Sequence, residues 1–449
     1  MSEPAQPDLQ SLCDQLAAGE LDQLNQSLRA LPIDDAARWI DRLDDAQQGE
    51  VLNRLQPEFV AALITQLPPG RGASLLETME PAAVAGALRH LPSNDQVDLL
   101  AELPEKKGEI LAAMPVEAAQ RLVRLLTYPE GTAGGLMVNE YLTYHAGLSV
   151  AEVIDDLRAN AERYARFDVQ YAYVLDEQAR LIGTLRLRDL LLMSLDQPIQ
   201  QAMIQNPQTI SAETTLDQLQ RKFDRLGYLG LPVVDEERRV LGVVLRNDVE
   251  EALADRSERT YLLMSGLLGG EELRSMRWTH RIARRAPWLA VSLLLSTLAA
   301  SVIGWYEETL AAVIALAACL PVISGVGGNA GNQSMALSIR ELSLGLIEPD
   351  EFAWVIGKEA LVALMNGLLM AILLGTIVVV WQRNLTLGLV VGLAILASTV
   401  LAAVLGGVVP LALRRLGWDP ALASGPILFT TVDLCGFLFT LTLADLILT

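Results

Sequence analysis

The chain has 449 residues, more than one ordinary domain uses, and 51% of them are apolar against 20% charged. Its 54 acidic and 34 basic side chains give a formal net charge of -20, which argues against nucleic acid as the main partner. The charge is split near residue 286: five basic and ten acidic side chains follow it and 29 and 44 precede it, the pattern of an acidic soluble region joined to a membrane region.

The first residues carry neither a basic n-region nor an apolar h-region. No cleaved signal peptide is expected, and the first half is read as cytosolic. Cys13, Cys319 and Cys435 lie far apart, so no disulfide framework or cysteine zinc site follows. His90, His145 and His280 are equally scattered.

Residues 20–126 repeat a short helical phrase, seen in Leu28-Arg-Ala-Leu31-Pro32, Leu63-Ile-Thr-Gln-Leu67-Pro68, Leu88-Arg-His-Leu91-Pro92 and Leu100-Ala-Glu-Leu103-Pro104. Each closes an amphipathic run that a proline stops. Stacked short helices sharing an apolar seam give an all-α superhelical N domain over 1–130, either a sensor module or a spacer.

A sharper repeat follows. Val174, Asp176, Glu177, Arg180, Gly183 and Asp189 recur 59 residues later as Val233, Asp235, Glu236, Arg239, Gly242 and Asp248. Each copy reads as strand, Asp-Glu turn, strand ending in glycine, then a helix beginning near the aspartate. This duplicated α/β unit resembles a tandem CBS pair, with domains over 137–200 and 201–258. The resemblance implies a regulatory module that binds a metal or an adenine nucleotide such as ATP, with Arg188 and Asp189 as nucleotide candidates. Arg186 and Leu245 stand where the family's nucleotide phrase has Ser or Thr, which argues against the standard site. Asp189 and Asp248 are equally candidates for helix N-caps.

Residues 259–285 read as a connecting amphipathic helix near the membrane surface. Arg274, Arg277, Arg281, Arg284 and Arg285 mark its cytoplasmic side.

Five apolar segments follow, at about 288–305, 309–336, 354–381, 386–413 and 424–448, each long enough for a bilayer crossing of about 20 residues. Arg340, Lys358, Arg414 and Arg415 fall in alternate loops, so the N-terminus is expected inside and the C-terminus outside. The second segment contains Pro321, Ser324, Gly325, Gly327, Gly328, Asn329, Gly331, Asn332 and Gln333. Proline and glycines weaken a helix there, so unwound backbone beside a water-filled path is expected, with oxygen ligands of the kind Mg2+ and Ca2+ require. The bland alternative is a small-residue packing seam. The fifth segment carries Asp433, whose charge at the centre of a span costs about 2.5–3.5 kcal/mol and calls for a cation from solution. A symmetry mate would complete an acidic ring; a protonated carboxyl or proton relay is the competing account. Asp419, at the cytoplasmic mouth, is either a second cation stop or the cap of the last helix.

The run Pro321 to Gln333, the run Asp419-Pro420-Ala421 through Ser424-Gly425-Pro426 to Asp433, and Thr132-Ala-Gly-Gly-Leu-Met137 together resemble the MgtE family of Mg2+ channels. The likeness covers nearly the whole chain. It implies a multidomain homodimer in the cytoplasmic (inner) membrane, with the transmembrane domain over 286–449 and one pore at the subunit interface lined by the second and fifth spans. Asp433 would hold hydrated Mg2+, with Asn329, Asn332, Gly325, Gly328 and Asp419 along the path. It implies closure by cytosolic Mg2+ bridging acids on the N domain, the CBS pair and the connecting helix. Asp95, Asp98, Asp248, Glu250, Glu251 and Asp255 are the candidate sensors. Arg256 and Arg259 interrupt that acidic run and depart from the family. A proton- or sodium-coupled divalent cation carrier and a CBS-regulated membrane sensor are the alternatives. No phosphate loop, nucleophile elbow or metalloprotease helix points to an enzyme.

Overall fold

A computed structural model describes residues 9–448 except 166, 168–169 and 268–277. The chain forms two compact units, Met1–Arg256 and Ser257–Thr449.

The first unit opens with ten short helices: α1 (Leu9–Ala17), α2 (Leu21–Ala30), α3 (Ile33–Ile40), α4 (Asp45–Leu52), α5 (Pro57–Ile64), α6 (Pro69–Glu77), α7 (Pro81–Leu88), α8 (Ser93–Ala101), α9 (Lys107–Ala113) and α10 (Val116–Leu125). Pro32, Pro68, Pro92 and Pro115 each sit just before a helix with ψ of 139–155°. The proline ring presets φ for the turn, and the missing N–H is not needed there. Every second helix packs on the next, α3 on α5, α5 on α7 and α7 on α9, with α4, α6, α8 and α10 stacked likewise. Leu28, Leu63, Leu88, Leu91, Leu100 and Leu103 are buried in one continuous core. The repeated phrase is thus the repeat of a superhelix.

Next come α11 (Ala133–Leu136), β1 (Leu142–His145), α12 (Val150–Ala159), α13 (Ala161–Tyr164), β2 (Tyr171–Leu175), β3 (Leu181–Arg186), α14 (Ile199–Ala202), β4 (Ile204–Gln205), α15 (Leu216–Leu226), β5 (Gly230–Val234), β6 (Val240–Leu245) and α16 (Arg246–Met264). One sheet runs β1-β2-β3-β4 and a second is β5-β6. The duplication holds residue by residue: Val174 pairs with Gly183 as Val233 pairs with Gly242, each followed by an irregularity of register. Ala179 and Arg238, 59 residues apart, both adopt positive φ (60° and 64°) in the Asp-Glu turns. The copies meet where Arg180 bridges Arg239. They differ after the last strand. The first copy makes only a 3-10 helix, Leu187–Leu192, where the second continues into the 19 residues of α16.

In the second unit α17 (Trp278–Trp305), α18 (Glu307–Ala312), α19 (Ala315–Ser343), α20 (Phe352–Gln382), α21 (Leu385–Arg415) and α22 (Pro420–Leu448) form a bundle. Helix α21 is central and packs on α19, α20 and α22. Residues 281–305, 352–382, 385–415 and 425–448 are the four stretches long and apolar enough to cross a membrane among the described residues. Helix α19, though 29 residues and about 43 Å long, is too polar to count with them. The expected unwinding does not occur: α19 is continuous through Pro321. The interruption lies earlier, at Val313 and Ile314 between α18 and α19. The glycines bring helices together instead. A Cβ on Gly406 would lie 2.1 Å from the Gly331 carbonyl oxygen, and one on Gly331 would lie 3.0 Å from that of Ala402. Close packing holds the helix where the sequence alone suggests a break.

Arg415 pairs with Asp350 at 3.3 Å, joining the α19–α20 and α21–α22 connections at one end of the bundle. At the other end Thr309 donates to Asp445 (2.7 Å) and Tyr306 bonds to Thr442 (2.9 Å). Of the connecting stretch 259–285, Arg274 and Arg277 lie outside the described residues.

Candidate functional site

Two places gather the residues singled out in the sequence, one in each unit.

The first is on the membrane bundle. Gly325, Asn329 and Asn332 are exposed, and their spacing of four and three residues puts them on one stripe of α19. Nothing lies within 4 Å of where a Gly325 Cβ would be. Gly327, Gly328 and Gly331 face the other way and are buried; a Cβ on Gly328 would press on the Phe429 ring at 3.1 Å. Gly328 therefore packs α19 against α22 rather than joining the stripe. The motif serves both readings at once, a packing seam on one side and a polar face on the other.

Asp433 on α22 is half-buried beside α19. Its Oδ1 accepts a hydrogen bond from the Ser324 hydroxyl. No Lys, Arg or His pairs with it among the described residues. Ser324 stood in the sequence motif without an assigned role, because a hydroxyl on a helix most often bonds its own backbone. Asp419 is exposed and its Oδ1 accepts the Ala421 N–H at 2.9 Å, which makes it a cap of α22. The Ser424 side chain lies outside the described residues.

The second place is the acidic face of the first unit. Asp95 and Asp98 lie on α8. Withdrawal from water, then Glu251 and Glu140, push the Asp95 carboxyl up to about 6. Withdrawal from water among its neighbours, then Asp95, Glu130, Asp255 and Glu102, push Asp98 up to about 7, although the residue is exposed at the surface. Four of the six expected sensor acids, Asp95, Asp98, Glu251 and Asp255, thus repel one another across one interface. Glu130, Glu140 and Glu102 join them; their positions carry no periodic signal that sequence reasoning could have used. Glu140 also accepts from Ser93 Oγ (2.8 Å), tying the start of α8 to the chain before β1. Glu250 is turned to Arg246 at 3.7 Å. Asp248 lies in the first turn of α16, where the helix dipole favours an acid. Among the described residues no three acidic, His or Cys side chains are close enough to chelate a metal ion directly.

Of the nucleotide candidates, Arg188 pairs with the neighbouring Asp189 at 3.4 Å, and Asp189 lies in the first turn of the 3-10 helix.

The MgtE divalent cation transporter family matches residues 320–443, the MgtE intracellular N domain residues 16–131 and a CBS domain residues 199–255. The magnesium transporter MgtE of Thermus thermophilus is 35% identical over 451 residues, covering 98% of this chain and 98% of that one. Those of Enterococcus faecalis and Bacillus subtilis are 32% and 29% identical, covering 74% and 73% of this chain and 72% of theirs. A solved cytosolic domain of the Mg2+ channel MgtE in complex with ATP covers 54% of this chain and 99% of its own at 28% identity, with a TM-score of 0.49. With its helical N domain, its CBS pair and its apolar bundle in that order, this chain belongs to the MgtE family of divalent cation transporters.

Proposed function

We propose that this chain is a Mg2+ channel of the cytoplasmic (inner) membrane that admits Mg2+ to the cytosol. The observation that carries this reading is a carboxylate, Asp433, bonded to Ser324 on the same helix that carries the exposed stripe of Gly325, Asn329 and Asn332 among apolar spans. Polar groups facing lipid would cost several kcal/mol each, so the stripe calls for an aqueous path or a protein partner. A second copy related by a two-fold axis supplies both, bringing two Asp433 carboxylates to one pore. Mg2+ sheds its water reluctantly, and two carboxylates acting through that water suit it.

Helix α19 is then the fifth crossing. The bonds that join alternate connections at opposite ends of the bundle support antiparallel neighbours and an odd number of spans. Arg281, Arg284 and Arg285 at the start of α17 and Arg414 and Arg415 in the last turn of α21 support an N-terminus inside and a C-terminus outside. The division into an N domain over 1–130, CBS domains over 137–200 and 201–258, a connecting segment over 259–285 and a membrane domain from 286 is the working frame for this reading.

The acidic face is the gate's sensor. Cytosolic Mg2+ bridges Asp95 and Asp98 to Glu251 and Asp255, relieving their repulsion and drawing α16 onto the N domain. The elevation of Asp95, to which Glu251 contributes, and of Asp98, to which Asp255 contributes, supports it. ATP at the CBS pair is a further expectation, which equilibrium dialysis of the purified protein tests.

Uptake of Mg2+ into proteoliposomes tests the main reading. A channel takes up Mg2+ down its gradient regardless of an imposed pH or sodium gradient. Uptake that stops without one of those gradients would establish a coupled carrier, and no uptake would leave a sensor.

A further inference from the structure

We propose that Ser324 is the positioning residue of the ion path: it holds the Asp433 carboxylate at a fixed reach and thereby sets which hydrated divalent cation passes. The proposal rests on the permeation reading above.

Hydroxyls on the membrane helices mostly bond the carbonyl one turn back. Thr376 donates to Ile372, Thr399 to Ile395, Thr431 to Ile427 and Thr440 to Gly436, at 2.6–2.7 Å. Ser324 does not. It gives its proton across the interface between α19 and α22 to a residue 109 positions away in the chain. A carboxylate is a stronger acceptor than a backbone carbonyl and draws the hydroxyl away from the local bond.

The surroundings leave the carboxylate little other support. Behind it the bundle is close-packed: a Cβ on Gly327 would meet Ser398 Oγ at 2.8 Å and Val432 Cγ1 at 3.1 Å. The residue after Ser324 is Gly325, with open space where its side chain would be. The Ser324 bond is thus what fixes the carboxylate at the edge of the open side. With Oδ1 engaged, Oδ2 remains to accept from a water of the passing ion. Mg2+ keeps that water, whereas Ca2+ takes carboxylates directly in flexible geometry. A tethered carboxylate favours the first mode. A free one can swing out to the second.

The test uses the full-length protein in liposomes, with Mg2+ uptake measured alone and against Ca2+. Ser324→Ala is expected to keep Mg2+ uptake within a few-fold of the unmutated protein while Ca2+ competes about tenfold better, the scale of one lost hydrogen bond to a charged group. Ser324→Thr, which retains the hydroxyl, is expected to restore the original ratio. An unchanged Ca2+ to Mg2+ ratio in Ser324→Ala would overturn the proposal. So would equal loss of all flux in the Ala and Thr variants, which marks a purely structural residue. No Mg2+ uptake by the unmutated protein would remove the permeation reading itself, an outcome distinct from either.

Discussion

Arg256 of α16 reaches back to Asp217 of α15, its Nη1 2.8 Å from the Asp217 Oδ1. Arg256 is one of the two arginines, with Arg259, that interrupt the acidic run. The pair holds α16 to the second CBS-like copy without Mg2+. Both side chains are about 40% exposed, so the bond is worth roughly 0.2–1 kcal/mol. Arg256→Ala should therefore raise the Mg2+ concentration that half-closes the pore by about 1.4- to fivefold. Flux titrated against internal Mg2+ measures it.

The acidic face should also respond to protons. Asp95 and Asp98 titrate near 6 and 7 in the folded protein, above the ordinary 3.8. A raised folded-state pKa means the folded state binds more protons, so this contribution is intact below about pH 3.8 and fades as pH rises through 6 and 7. In Mg2+-free buffer, the protection factors of amides in α8 and α16, corrected for the intrinsic pH dependence of exchange, should be larger at pH 5.5 than at pH 8. Adding Mg2+ at pH 8 should restore the protection, because the cation does the work of the proton. Asp98→Asn should flatten the pH dependence.

The two faces of α19 predict opposite consequences for substitutions at glycine. Gly406→Ala puts a methyl 2.1 Å from the Gly331 carbonyl oxygen and must separate α19 from α21, at a cost of about 1–3 kcal/mol. Thermal unfolding in detergent should fall by several degrees. Gly325→Val meets open space. It should leave the melting temperature within a degree or two and cut Mg2+ flux severalfold.

Much of this was legible before the structure. The 59-residue repeat became two hairpins in the same register, because an Asp-Glu turn and a closing glycine specify where such strands pair. Leucine-leucine-proline phrases became helix stops because proline permits little else. The continuity of α19 was not legible. Whether a glycine-rich helix survives depends on what packs on it, and Ala402, Gly406, Leu428 and Phe429 come from α21 and α22, far away in the chain. Nor was the bond from Ser324 to Asp433, since no spacing rule links residues on separate helices. The acidic face was half legible: its acids on α8 and α16 stood out, but Glu140 and Glu130 entered through the fold.

Mg2+ flux through Asp433→Ala in liposomes tests the central claim most directly. The account predicts that most uptake is lost while the protein still inserts and dimerises, because the carboxylate beside the stripe is what attracts and passes the ion. Uptake equal to that of the unmutated protein would contradict it.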